Sequence, residues 1–307
     1  MMRRLLVLLS LLVLAAVQPA HSAPLKLGVL PAADTIVLHV AADEGLFAKQ
    51  GLEVELIPFQ SALELGAAMR AGALSGHFGD IINVLMQNES GSPQAIVATT
   101  SHSSPDNRCF GLVVSPKSKA QTLADLKGKD IAVSSATIID FLLAQLLQQE
   151  GTAPDFLNRQ DIRQIPVRLQ MLLSGQIESE PLVSLVEAKG VRTILNDCKL
   201  NTPLAVIALK RDVLDAPDGA QTVAKFREAL REAAKRINET PDAYRPIMEA
   251  KGLLPKGASA NYTMVRFDMT HTPTGLPSEA DIKTFADWMK ANRILKKDPA
   301  YGDVVFQ

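Results

Sequence analysis

From Leu25 onward, apolar and polar positions switch repeatedly between a period of two and a period near 3.6. The apolar run 25–30, ended by Pro31, predicts a buried strand. Ile36, Val40 and Phe47 share one helical face, and Gly51 marks the stop. Leu52, Glu53, Val54, Glu55 and Leu56 alternate strictly, which predicts a strand with one wet face. Ser61 opens a helix that runs to Ala71 and ends on Gly72, a residue suited to the left-handed cap. Residues 94–99 form the last strand of this first set.

A polar break spans 101–107, and then the pattern restarts. Strands are predicted at 109–115 and 130–134, with a helix over 136–150 stopped by Gly151. Residues 191–195 and 204–209 are two more strand-like runs. Beyond Lys210 the chain turns helical, with Val223, Phe226, Leu230 and Ile237 on one stripe and a further helix before Gly252. The stretch from Ala68 through Gly72 to Leu74 is echoed from Leu172 through Gly175 to Ile177, a helix ending on glycine and then an apolar position. This predicts an α/β protein of two similarly built lobes, the second inserted in the first. The expected division is 23–105 plus 211–307 for lobe one and 106–210 for lobe two. Loops at the carboxyl ends of the strands then face a cleft between the lobes.

The first residues follow a different rule. Arg3 and Arg4 precede an apolar run from Leu5 to Val17, and Pro19, Ala20, His21, Ser22 and Ala23 follow. This order predicts a cleaved export signal over 1–22. The apolar run is shorter than the roughly 20 residues a membrane-spanning helix needs, so the expected product is exported, periplasmic and not membrane-inserted. The whole chain of 307 residues carries a net charge of −1, slightly more negative without Arg3 and Arg4. That balance excludes nucleic-acid binding through a basic face. Of its two cysteines, Cys109 and Cys198, each could stay a free thiol, or the two could pair in an oxidising compartment.

Glycine-rich phosphate loops, a nucleophile elbow and the zinc-protease motif are all absent from the sequence. The histidines after residue 22 (His39, His77, His102, His271) stand singly, without ligand spacing, and His39 with Asp43 reads as a surface charge pair. What remains is polar residues at strand-to-helix turns: Asp34 and Thr35, Gln60 and Ser61, Asp80, then Ser134, Ser135, Thr137 and Asp140. The Asp, Ser and Thr among them are also good helix N-caps. Taken together they are candidate ligand contacts, since several helix N-termini converging on one cleft offer N–H donors and hydroxyls to a small molecule.

Several segments resemble the SsuA/THI5-like (NMT1) family of periplasmic solute-binding proteins. These are Leu27-Gly28-Val29-Leu30-Pro31 leading to the run from Ala42 to Val54, then Ala68–Leu74 and Leu123–Lys129. Met171–Ile177 and Glu180-Pro181-Leu182-Val183 complete the order. The resemblance implies a bilobed type II periplasmic-binding-protein fold that closes over a small ligand without a cofactor. It implies a monomer whose partners are the permease and ATPase subunits of an ABC importer. It adds Glu180 to the candidate ligand contacts. The alternatives are an enzyme of the same fold with pyrimidine chemistry, or a sensing module that docks on a membrane receptor. The chain departs from the family at Ser75, where aspartate is usual, and it is shorter between Ile177 and Glu180. Val29 and Thr35 replace the aromatic and histidine of pyrimidine binders.

Overall fold

The computed structural model describes residues 24–105, 110–183, 191–254 and 256–307, without the side chains of 180–183 and 261. The expected export signal over 1–22 and Cys109 lie outside the described residues.

Among the described residues, ten strands form two five-stranded sheets. The first runs β2(Val54–Pro58)-β1(Leu25–Val29)-β3(Gly76–Gly79)-β10(Pro203–Lys210)-β4(Gln94–His102). The second runs β7(Asn158–Asp161)-β6(Asp130–Val133)-β8(Ser179–Val183)-β5(Phe110–Val114)-β9(Arg192–Asn196). Both follow one plan. Three strands lie parallel (β2, β1, β3; β7, β6, β8), and an antiparallel strand fills the gap before the edge. Parallel strands need crossovers, and helices supply them. They are α1(Ile36–Asp43), α2(Ala62–Arg70) and α3(Ile81–Glu89) in the first set, with α4(Ile138–Gln149) and α5(Ile165–Ser174) in the second. Two longer helices, α6(Gly219–Glu239) and α7(Glu279–Ala291), return to the first sheet. The echo in the sequence lies at equivalent places: Gly72 (φ 75°) follows α2 before β3, and Gly175 (φ 76°) follows α5 before β8. A side chain at either would have to adopt the left-handed region that glycine enters freely.

The expected boundary at residue 210 is corrected here. Pro203–Lys210 does not end the second lobe but enters the first sheet. There it pairs antiparallel with β3 and β4, Ile207 opposite Phe78 and Ala98. Seven of its eight residues are buried, which a central strand covered on both faces requires. The chain thus crosses between sheets twice, after β4 and after β9.

One core cluster packs Leu27, Val29, Ile207 and Leu209 against α1 and α6. The α6 stripe of Val223, Phe226, Leu230 and Ile237 is at most 1% exposed, and Phe226 stacks on Phe47 at 5.2 Å. Phe47 lies outside α1, because Gly45 turns left-handed after it. A second cluster joins Ile82 and Leu85 of α3 to Phe285 and Met289 of α7, and draws in Ile139, Phe141 and Leu142 of α4 from the other sheet. Phe141 meets Phe285 at 4.3 Å and Trp288 edge-on at 5.6 Å. Burial of each such side chain contributes about 1.5–3 kcal/mol. Among the described residues, no helix is long and apolar enough to cross a membrane.

Two histidine expectations also change. His39 is buried, and burial pushes its pKa down to about 4; Asp43 pairs instead with Lys251 at 2.9 Å. His102 at the end of β4 stacks on His271 at 4.5 Å, and Asp268 lies 3.0 Å from His271 Nδ1. Tertiary folding brings these two rings together from distant parts of the chain.

Candidate functional site

The carboxyl ends of the parallel strands meet across the two sheets and wall a cleft of about 750 Å³, its open mouth included. The turn after β1 supplies Leu30, Pro31, Ala32 and Asp34; Ala62 follows β2, and Phe78, Gly79 and Asp80 come from the end of β3. From the second sheet come Ser134 after β6, Thr137, Ile138 and Ile139 at the start of α4, and Arg163, Ile165 and Arg168 after β7. Phe110 of β5 and Leu204 and Ala205 of β10, on the crossing strands, complete the lining. The wall is mostly apolar, with a few polar groups. Small-molecule sites are built in this way.

Asp34 is the polar group that local structure does not use as a cap. It sits in a single helical turn before α1, is 7% exposed, and accepts a hydrogen bond from Thr100 Oγ1 at 3.2 Å. No side-chain cap bond forms at this helix start. Burial raises its pKa to about 6, against the pull of its hydrogen bonds.

Asp80 has a different task. It caps α3, its Oδ1 accepting from Asn83 N at 2.7 Å and Asn83 Nδ2 at 2.8 Å. Its Oδ2 accepts from Ile138 N at 3.0 Å, the first amide of α4 in the other lobe. Burial holds its carboxyl above the usual carboxylate range, while the bonds from Asn83 and Ile138 act against that. A second bond closes the lobes nearby, as Ile165 N at the start of α5 donates to Gln60 O at 3.1 Å. In both cases a lobe-two helix gives its first N–H to a lobe-one acceptor.

The other expected contacts divide clearly. Ser134 and Thr137 line the cleft; Thr137 caps α4 through Ile139 N and donates to Ser134 O at 2.7 Å. Thr35 is fully buried and donates to Ala32 O at 2.7 Å, away from the cleft lining. Ser61 caps α2 through Glu64 N, and the Gln60 side chain is exposed, so neither reaches the lining. Ser135 gives its N–H to Asp161 at 2.9 Å. Asp140 is turned into its own lobe, where Arg159 and the Ala136 N–H engage its two oxygens. Ser61, Thr35, Ser135 and Asp140 are thus engaged in local bonds outside the lining, and Gln60 stands exposed outside it. Glu180 lies in β8 opposite Val113, its side chain outside the described residues. Cys198 is a half-buried free thiol in the turn after β9, its N–H held by Asn196 Oδ1, and its expected partner Cys109 lies outside the described residues.

Arg163 and Arg168 are cleft residues that sequence reading missed. Arg163 pairs with Asp161 at 3.0 Å, and Arg168, 2% exposed, donates to Ile162 O at 2.9 Å and Arg163 O at 3.3 Å. Pro166 in the first turn of α5 was the usable signal. It marks a helix start, which places 165 and 168 on one face. Among the described residues, no group of His, Cys, Asp and Glu could hold a metal ion, and neither His nor Cys lines the cleft.

The family model "NMT1/THI5 like" matches residues 32–244. No curated protein matches the sequence. Among solved structures, the chain is similar to the alkanesulfonate-binding protein SsuA from Xanthomonas axonopodis pv. citri bound to MOPS. There the TM-score is 0.75 and identity 19%, over 94% of this chain and 99% of that one. The periplasmic aliphatic sulphonate binding protein SsuA from Escherichia coli gives 0.74 and 16%, over 93% and 92%. The ligand binding component of an ABC-type import system from Staphylococcus aureus, with zinc bound, gives 0.70 and 17%, over 93% and 97%.

Proposed function

The chain belongs to the NMT1/THI5-like family, and from that premise we propose that it is an exported solute-binding protein. It closes its two lobes over a small organic molecule and presents it to an ABC importer. It works in the periplasm, as a binding protein and not as an enzyme. The solute has an apolar body and at least one hydrogen-bond donor, such as an amine, an amide or a ring N–H.

The observation that carries this reading is Asp34: a buried carboxylate on an apolar cleft wall, bonded to Thr100 and committed to no cap. A buried charge without a full set of partners is costly, so a carboxylate kept in such a place serves a partner that arrives from outside. Of the cleft arginines, Arg163 is charge-paired with Asp161, and Arg168 has donors engaged by two carbonyls, against the two carboxylates of the same lining. The SsuA relatives bind sulfonates; the carboxylates on this cleft wall favour the opposite charge preference. Native mass spectrometry of the purified protein, followed by calorimetry with amines, amides and nitrogen heterocycles, tests the reading. A donor-bearing solute should bind wild-type protein and bind Asp34→Ala about ten- to hundredfold more weakly. Equal affinity in both would refute the role of Asp34.

A further inference from the structure

The first amides of a helix attract anions, because their N–H groups have no partner inside the helix and the dipole is positive there. Helix α4, twelve residues long, points such an end into the cleft. Its first amide is already taken: Ile138 N donates to Asp80 Oδ2 across the lobes at 3.0 Å. The carboxylate cannot swing aside cheaply, because Asn83 holds its other oxygen through two bonds at 2.7 and 2.8 Å and the residue is 5% exposed.

We propose that Asp80 is a specificity residue: a built-in carboxylate that occupies the anion-accepting end of α4 in the closed cleft and keeps oxyanion-bearing solutes out. The proposal deepens the reading of the cleft as a solute site and rests on it. An incoming sulfonate, carboxylate or phosphate that reached for Ile138 N would meet Asp80 at hydrogen-bonding range. It would have to sit beside a like charge in a partly dry pocket, or displace Asp80 and strand that carboxylate away from α4. Asp34 lines the same cleft and adds to the repulsion, while Arg163 and Arg168 of the lining lie after β7 with Arg163 held by Asp161 and Arg168 by two carbonyls. Neutral or donor-bearing solutes avoid both penalties. In this chain the clasp that ties the lobes together is also the filter.

The test uses ethanesulfonate as probe in calorimetry on ligand-free wild-type protein, Asp80→Asn and Asp80→Ser. Asparagine and serine both cap helices, so α3 keeps its start in each variant, and thermal unfolding checks that both are folded. Wild-type protein should show no measurable binding. Asp80→Ser, which is shorter and vacates the amide, should gain ethanesulfonate binding by about tenfold or more, and Asp80→Asn by less. Wild-type binding within about twofold of Asp80→Ser, or no gain in either variant, would overturn the proposal. A screen in which no solute of any charge bound the wild-type cleft would instead sink the solute reading. The two failures stay separate, because the Asp80 comparison needs no knowledge of the natural solute.

Discussion

Replacing Asp34 by asparagine should stabilise the empty protein at neutral pH while weakening it as a receptor. The Asp34 carboxyl has its pKa raised from 3.8 to about 6 by burial. A carboxyl with a folded-state pKa above its unfolded value takes up protons on folding, so its favourable contribution is complete below pH 3.8. That contribution is lost as pH rises through about 6, and above it the ionised group costs the fold about 3 kcal/mol. Asparagine removes the charge but keeps an oxygen able to accept from Thr100 Oγ1, 3.2 Å away. Some loss in that bond, about 1 kcal/mol, leaves a net gain of about 2 kcal/mol at pH 8. For a chain of this size the melting temperature should then rise by roughly 3 °C.

The control is built into the titration. At pH 4 both proteins carry a neutral side chain at 34 in the folded state, so the charge cost disappears and the weaker Thr100 bond leaves the variant no more stable than wild type. Thermal unfolding of both at pH 4 and pH 8, after removal of any bound solute because ligands raise apparent stability, measures it. A helix cap behaves in the opposite way, since its loss destabilises at any pH where the fold persists. If Asp34→Asn is less stable than wild type at pH 8, or if the difference is the same at both pH values, the assignment of Asp34 as an uncommitted buried carboxylate is wrong.

Three further outcomes are expected. Trp288, the single tryptophan of the chain, packs edge-on against Phe141 at the seam between lobes; Phe141→Ala should shift its emission to longer wavelength and lower stability by about 3–5 kcal/mol, and an unchanged spectrum would mean the seam does not report on the lobes. Cys198, half-buried and free, should react with a thiol reagent in native protein and the labelling should fall by one thiol in Cys198→Ser; equal labelling of both proteins would place the reactive thiol elsewhere. Protein recovered from a periplasmic fraction should have an intact mass lacking residues 1–22 and carrying no lipid, and a mass that retained the apolar run would refute export by a cleaved signal.

Periodicity revealed three of the six parallel strands, β1, β2 and β6, and most of the helices that cross between them, because each buries one face and leaves a repeat. It could not reveal β7, whose residues Asn158, Arg159, Gln160 and Asp161 are all exposed at the sheet edge. An edge strand held by backbone pairing to Asp130–Val133 has no apolar signature to read. The four-residue β3, Gly76–Gly79, is hidden for another reason: it is buried throughout, yet two of its residues are glycine. The error at β10 has the same root, since a central strand bonded on both sides looks alike whichever sheet receives it.

The candidate site separates in a similar way. Sequence placed Asp34, Asp80 and Asp140 at the starts of helices on one cleft, and three carboxylates there read as equal contributors. What distinguishes them is who else is within reach, and that is set by folding. Asp140 meets Arg159 from β7, the strand without a signature. Asp80 meets Asn83 one turn along its own helix, a pairing that was legible, and Ile138 from the other lobe, which was not. Asp34 meets Thr100 of β4 and its own backbone, and caps no helix. A capping residue is recognised by its local frame, but a ligand contact is recognised by the hydrogen bonds it lacks. The residue most informative about function is therefore the one whose local role, so plausible in the sequence, goes unfilled in the fold.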